Sequence, residues 1–352
     1  MSRLDQEPDV VALAKALGLR GHPVEAVVQF CEERIGCWAA DAGGVENVAA
    51  LEQLVAEGLQ LAVEEVCSDD DLEEIIGRYV AQREYVFATL RDELGPATFG
   101  VTIKRKHRRR ESRDKYVAVI DCRGDKAARR FFTRWHEVAH LLVLEKELDA
   151  PVRRSAHDPI ERLMDEIAGR VGFYEPIFGP VFAREHSKPL LELGTVEAIR
   201  RAYCDKASFQ ATLFACQRRM NTPVVYVEAE MKCKAEEERR LRSMQRKFSA
   251  DDPPVAKLRV GLAVSNQAAN DEGFRIAPNM RVPAGSVIHK LHSDANAEEA
   301  SGSENLVAWE FSNGNSLPDC EVWVDARKVG ERVIAIVQPV DGQQRKREGT
   351  PK

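Results

Sequence analysis

The stretch His136-Glu137-Val138-Ala139-His140 holds the side chains for metal-dependent hydrolysis. Two histidines four residues apart share one face of a helix, so both imidazoles can bind a single ion. Glu137 falls about 100° round the same helix from His136, where its carboxylate can hold the water that the ion polarises and take its proton. This His-Glu-x-x-His spacing is the signature of zinc peptidases. A catalytic zinc site also needs a third protein ligand and an open fourth position. Downstream, Asp158-Pro159-Ile160-Glu161 opens a second helix, and two readings compete for Glu161. It completes a capping box, with Asp158 at the N-cap and Pro159 at the first helical position, or it is the third ligand. Asp165 lies one turn further along that face; it can orient a ligand histidine or serve as an alternative ligand. Glu166, about 140° away around the axis, is worse placed. Tyr203 and His157 are candidate donors to the oxyanion of a cleaved carbonyl. The chain carries no GxSxG elbow, Walker A sequence or GxGxxG, so no rival catalytic motif competes.

The segment Arg130-Phe131-Phe132-Thr133-Arg134-Trp135-His136-Glu137-Val138-Ala139-His140-Leu141-Leu142 resembles the ImmA/IrrE metallopeptidases, whose motif reads like RFTLAHELGHLLL. Glu161-Arg162-Leu163-Met164-Asp165-Glu166-Ile167-Ala168 resembles the E-x-x-A-N-x-F-A element that follows in that family. Ala139 replaces the family's Gly, Met164-Asp165 replaces Ala-Asn, and Ile167 replaces Phe. These departures touch packing and ligand orientation more than the ligand set. The resemblance implies a gluzincin-like site in which His136, His140 and Glu161 bind one zinc, or another divalent metal, and Glu137 is the general base. It further implies an endopeptidase whose protein substrate is a regulatory protein, such as a helix-turn-helix repressor, in a stress or mobile-element response.

The elements that must position these residues read as α+β: a helical N-terminal region, a zincin-like core with a small β-sheet and the His-Glu-x-x-His helix, and a β-rich C-terminal domain. Residues 1–22 read as weakly ordered and residues 23–95 as helical, with helices over 23–37, 49–66 and 70–91. The core spans 96–250. It has strands at 98–104 and 116–121, an amphipathic helix over 125–147 with Phe131, Trp135, Val138 and Leu142 on its apolar side, and further helices to residue 220. Residues 231–248 read as an exposed helix, and Asp251-Asp252-Pro253-Pro254 marks the domain boundary. Residues 257–340 read as an accessory sensor or docking domain, with strands at 258–264, 286–291, 306–311 and 322–337 (the last long enough to be two), a flexible loop over 294–305, and a disordered tail at 341–352. His289 and His292, three apart on an expected strand, would point to opposite faces.

Bulk properties narrow the class. In 352 residues, 31% charged and 44% hydrophobic side chains are ordinary for a soluble globular protein. A net charge of −6 gives no overall reason to expect nucleic-acid binding. The basic run at 104–113 is the one segment that favours it, and a solvated loop is the plainer reading. No apolar run is long enough for a membrane span, and the N-terminal residues lack a signal-peptide core. The 8 cysteines are scattered without a CxxC pair, which suggests reduced thiols in a cytoplasmic protein and no second zinc site. The alternatives to an enzyme are an inactive peptidase fold that binds a regulator, or a nucleic-acid-binding regulator.

Overall fold

A computed structural model describes residues 3–106, 114–144, 158–234, 236–237, 239, 255–311 and 316–340. The protein is α+β and divides into two compact units, residues 1–187 with 197–215 and residues 188–196 with 216–352. In chain order the main elements are α1 (Pro8–Ala16), α2 (Pro23–Asp41), α3 (Val48–Leu59), β1 (Leu61–Val66), α4 (Asp69–Val80), α5 (Leu90–Glu93), β2 (Gly100–Lys104), β3 (Tyr116–Asp121), α6 (Arg130–Leu144), α7 (Pro159–Val171), α8 (Glu175–Glu185), α9 (Leu193–Tyr203), α10 (Phe209–Arg219), β4 (Val225–Lys232), β5 (Lys257–Ser265), β6 (Glu299–Asn305), β7 (Glu321–Val329) and β8 (Arg332–Pro339). Short helices at Gln267–Asp271 and Val287–Ser293 lie between β5 and β6. Among the described residues, no helix is long and apolar enough to cross a membrane.

The first unit is built on a three-stranded sheet of order β1-β3-β2, with β1 parallel and β2 antiparallel to the central β3. Every residue of β3 is buried, as a strand covered on both faces must be. Side chains alternate across a strand, so Val117 and Val119 join Ile103, Leu72, Ile75, Tyr79 and Phe87 in the core under α4 and the 3-10 turn Tyr85–Thr89. The opposite face, carrying Tyr116, Ala118 and Ile120, lies on the side where α6 packs against β2 and β3. Helix α7 packs in turn against α6 and α2.

Several elements depart from the sequence reading. Residues 3–16 are structured: a 3-10 turn at Arg3–Gln6 leads into α1, which buries Val10, Leu13 and Ala14. The helix expected over 49–66 stops at Leu59, because Gln60 takes a left-handed conformation (φ 52°) and the chain leaves as β1. The helix expected over 70–91 ends at Val80, and Arg83 turns the chain with φ 68°. The site helix begins at Arg130, after a 3-10 turn at Gly124–Arg129, five residues later than its apolar pattern suggested.

The second unit holds an antiparallel sheet of order β5-β4-β8-β7-β6. Its core gathers Val225, Val227, Val260, Trp309, Val324 and Val337, with Ile288 and Leu291 of the short helix. Strand β4 belongs here, so the unit begins well before the expected Asp251–Pro254 boundary, whose residues lie outside those described. Ser286–Leu291 is not a strand. Ser286 caps the helix Val287–Ser293 by accepting from His289 N–H, which puts His289 and His292 on one side of a helix instead of opposite faces of a strand. Residues 299–305, expected as loop, form edge strand β6, and Leu306–Ala308 is a 3-10 turn. The segment 322–337, long enough for two strands, is indeed two: a hairpin of β7 and β8 turning at Gly330, where φ is 61°. The helix expected over 231–248 starts as strand residues of β4, and most of the rest lies outside the described residues, as does the tail from 341.

Candidate metal centre

The site is assembled by two helices in contact. On α6 the apolar positions are buried, Trp135 and Leu142 almost completely, which anchors one side of the helix and leaves His136 and His140 at its margin. Phe131 meets Trp135 edge-on at 6.4 Å and Phe173 at 5.4 Å. Helix α7 closes on this cluster through Gly172, just past its last turn. A Cβ there would sit 2.8 Å from Trp135 Cδ1, so only glycine permits the approach. Arg34 of α2 donates to the Leu142 carbonyl at 3.0 Å, and Arg170 of α7 bridges to Glu32 of α2, tying the helices together.

The start of α7 bears on the two readings of Glu161. Asp158 is the N-cap and accepts from Ile160 N–H at 2.8 Å. The Glu161 carboxylate turns to the histidines, with Oε2 at 3.1 Å from His136 Nε2 and 3.5 Å from His140 Nε2. The two Nε2 atoms are 3.2 Å apart. One donor atom from each of His136, His140 and Glu161 therefore lies within 4.8 Å of the others. That spacing fits the mutual distances of ligands around one tetrahedral ion with metal–nitrogen and metal–oxygen bonds of about 2.0–2.2 Å. On the far side of the His136 ring, Nδ1 lies 2.9 Å from Asp165 Oδ1.

Electrostatics follow from this crowding. Burial opposes charging of His136, but hydrogen bonds to Asp165 and Glu161 outweigh it and push the ring up to about 10. Burial likewise opposes ionisation of Glu161, yet its bonds to His136 and His140 hold it well below the usual carboxylate range. A proton on Nε2 and a divalent cation compete for one place, and the anionic surroundings attract either.

Glu137 is buried and held from the sheet side. Thr102 of β2 donates its hydroxyl to Glu137 Oε2 at 2.7 Å. Thr102 pairs with Ala118 and Gly100 with Ile120, so both project on the α6 face. A Cβ at Gly100 would lie 2.9 Å from Glu137 Oε1 and 2.8 Å from Thr133 Cγ2. Neither Gly100 nor Thr102 is marked by any motif; strand register brings them to Glu137, and register is invisible in an isolated strand.

Of the remaining sequence candidates, Tyr203 donates its hydroxyl to the Gly172 carbonyl at 2.8 Å and stacks on Phe173 at 5.4 Å. Its hydroxyl is engaged inside the aromatic core, a placement that does not support the oxyanion role expected for it. His157 lies outside the described residues. So do residues 107–113 of the basic run; its Arg105 is buried against Glu84 at 3.5 Å and does not form part of an exposed patch.

No family model matches the chain, and no curated protein matches it. Among solved structures, a Mycobacterium tuberculosis transcriptional regulator aligns over 91% of this chain and 81% of its own, at 11% identity and a TM-score of 0.37, a likeness too low to speak for function.

Proposed function

We propose that the protein is a zinc-dependent endopeptidase, with His136, His140 and Glu161 as metal ligands and Glu137 as general base. The observation that carries the reading is the convergence of those three ligand groups within 4.8 Å, on two helices that share a buried core. When bound, the ion supplies Lewis acidity, which makes water a nucleophile near neutral pH and steadies negative charge on the scissile carbonyl oxygen. Glu137 accepts the proton of the attacking water and returns it to the departing amine nitrogen. Thr102 holds one oxygen of that carboxylate, leaving Oε1 for the water. Asp165 fixes the His136 ring so that Nε2 faces Glu161 and His140. The intact Glu137 favours catalysis over a purely binding role, because a scaffold has no use for a carboxylate held in this way. The resemblance to ImmA/IrrE peptidases extends the proposal to the substrate: a single regulatory protein, such as a transcriptional repressor.

The test is zinc analysis together with peptide-library cleavage by the full chain. Zinc at one ion per His136-His140-Glu161 site, and cleavage that falls about 10²–10⁴-fold in Glu137→Gln with this zinc retained, are the expected results. Undiminished cleavage by that variant refutes the assigned base. Failure of His140→Ala to lower the zinc content refutes the ligand set.

A further inference from the structure

Cys67 and Cys122 each follow directly on the end of a strand, β1 and β3 respectively, and the last residues of those strands, Val66 and Asp121, are paired neighbours. Cys122 N–H donates to the Val66 carbonyl at 2.8 Å, which extends the pairing to the cysteines. Side chains two apart on a strand share a face. Leu61 and Val63 line a cavity with Arg134, Trp135 and Val138 of α6, which identifies the α6 side of β1. Glu65 continues that series, and Arg134 donates to its Oε1 at 3.1 Å. Cys67 is next in the series, and Cys122 follows Tyr116, Ala118 and Ile120 on β3. One donor atom from each of Glu65, Cys67 and Cys122 lies within 4.8 Å of the other two.

We propose that Glu65, Cys67 and Cys122 form a second metal site, for a thiophilic divalent cation of the zinc class. Two sulfurs and one carboxylate oxygen suit such an ion; magnesium and calcium take oxygen ligands alone. Binding breaks two S–H bonds heterolytically, the sulfur electron pairs go to the ion, and two protons leave to solvent. A carboxylate has two oxygens, so Glu65 can keep Arg134 on one and offer the other to the cation. The exposure of Cys67 gives the ion a way in, while Cys122 is buried.

The third group separates a metal site from a simple redox pair. A dithiol that cycles to a disulfide is helped by nearby cations and hindered by a carboxylate. Here Glu65 stands beside both sulfurs, one donor atom of each group lying within 4.8 Å of the other two. A dication relieves all three groups at once. Because Glu65 is paired with Arg134, two residues before His136, an ion here also braces the helix that carries the first site.

The site is independent of the peptidase reading, and so is its test. Reduced full-length protein is titrated with Co²⁺, and the near-ultraviolet thiolate-to-cobalt charge-transfer band is recorded for wild type, Cys67→Ser, Cys122→Ser and His140→Ala. The expected result is a band in wild type and in His140→Ala, and its loss together with one bound cobalt in Cys67→Ser. Cys67 is exposed, so this variant keeps the fold even if Cys122→Ser does not. No band in wild type, a band that survives Cys67→Ser, or a Cys67–Cys122 disulfide that forms in air despite excess cobalt overturns the proposal.

Discussion

Asp165 Oδ1 stands 2.9 Å from His136 Nδ1, while Glu161, one turn earlier on α7, reaches the Nε2 of the same ring at 3.1 Å. One helix thus places a carboxylate beside each nitrogen of the ring. A carboxylate on Nδ1–H fixes the tautomer and raises the basicity of Nε2. Asp165→Ala should weaken zinc affinity by about 10–100-fold, measured by chelator competition, with the fold intact because Asp165 is largely exposed. Asp165→Asn, whose amide oxygen still accepts from Nδ1–H, should lose less. Equal losses in both variants would mean that charge alone matters and the hydrogen bond does not.

Thr102 reaches Glu137 from the sheet. Its hydroxyl is buried against Glu137 Oε2 at 2.7 Å, and a hydrogen bond to a charged group contributes about 1.5–3 kcal/mol. Thr102→Val removes the donor at nearly constant volume. Cleavage kcat/KM should fall by at least about tenfold while zinc content stays at the wild-type level. Steady-state kinetics paired with metal analysis checks this, and a loss of zinc instead would make Thr102 structural to the ligand set.

Gly100 has no room for a side chain. An added Cβ meets both Thr133 and Glu137 within 3 Å, and neither can retreat far, since both are buried. Gly100→Ala should lower stability by about 1–3 kcal/mol in urea denaturation, the usual cost of overpacking, and lower turnover beyond what that loss explains, because Glu137 Oε1 is displaced. A variant with wild-type turnover would show that the carboxylate can shift without consequence.

What could be read from the sequence was what local signals specify. Helices α6 and α7 carry their own patterns: the apolar spacing of Phe131, Trp135, Val138 and Leu142, and the Asp158-Pro159 start. For Glu161 the sequence leaves capping and ligation open, since both use the same residue at the same spacing, and only tertiary contact brings its carboxylate to 3.1 Å from His136 Nε2. Strand β1 was hidden because α3 ends at Gln60 in a conformation usually taken by glycine, while the nearby Gly58 lies inside the helix. Strand β6, Glu-Ala-Ser-Gly-Ser-Glu-Asn, has almost no apolar content; as an edge among the described strands it pairs with β7, and backbone bonding defines it. The Ser286–Leu291 run is short and apolar, where strand and helix periods cannot be told apart. Gly100, Thr102, Cys67 and Cys122 gain their meaning from register between strands far apart in sequence, which one chain without its pairings does not display.

Asp325, on β7 in the second unit, is one place where pH and stability meet. Burial raises its carboxyl above the ordinary value, Glu192 and Glu299 add to the shift, and the Leu193 N–H donor at 2.6 Å and the Arg327 charge only partly offset it. For an acid whose folded-state pKa is raised, the sign runs against the usual carboxylate case. Below the unfolded value, near pH 4, both states hold the proton and the group is neutral. As pH climbs from there through the folded value, the unfolded chain releases its proton first, and stability is lost. Asp325→Asn keeps an oxygen to accept from Leu193 N–H and removes the charge. It should be more stable than wild type at pH 7, with the advantage vanishing toward about pH 3, as read by urea denaturation at the two pH values. If the variant is weaker at pH 7, the charged bond to Leu193 outweighs burial, and the ionised form is the one the fold prefers.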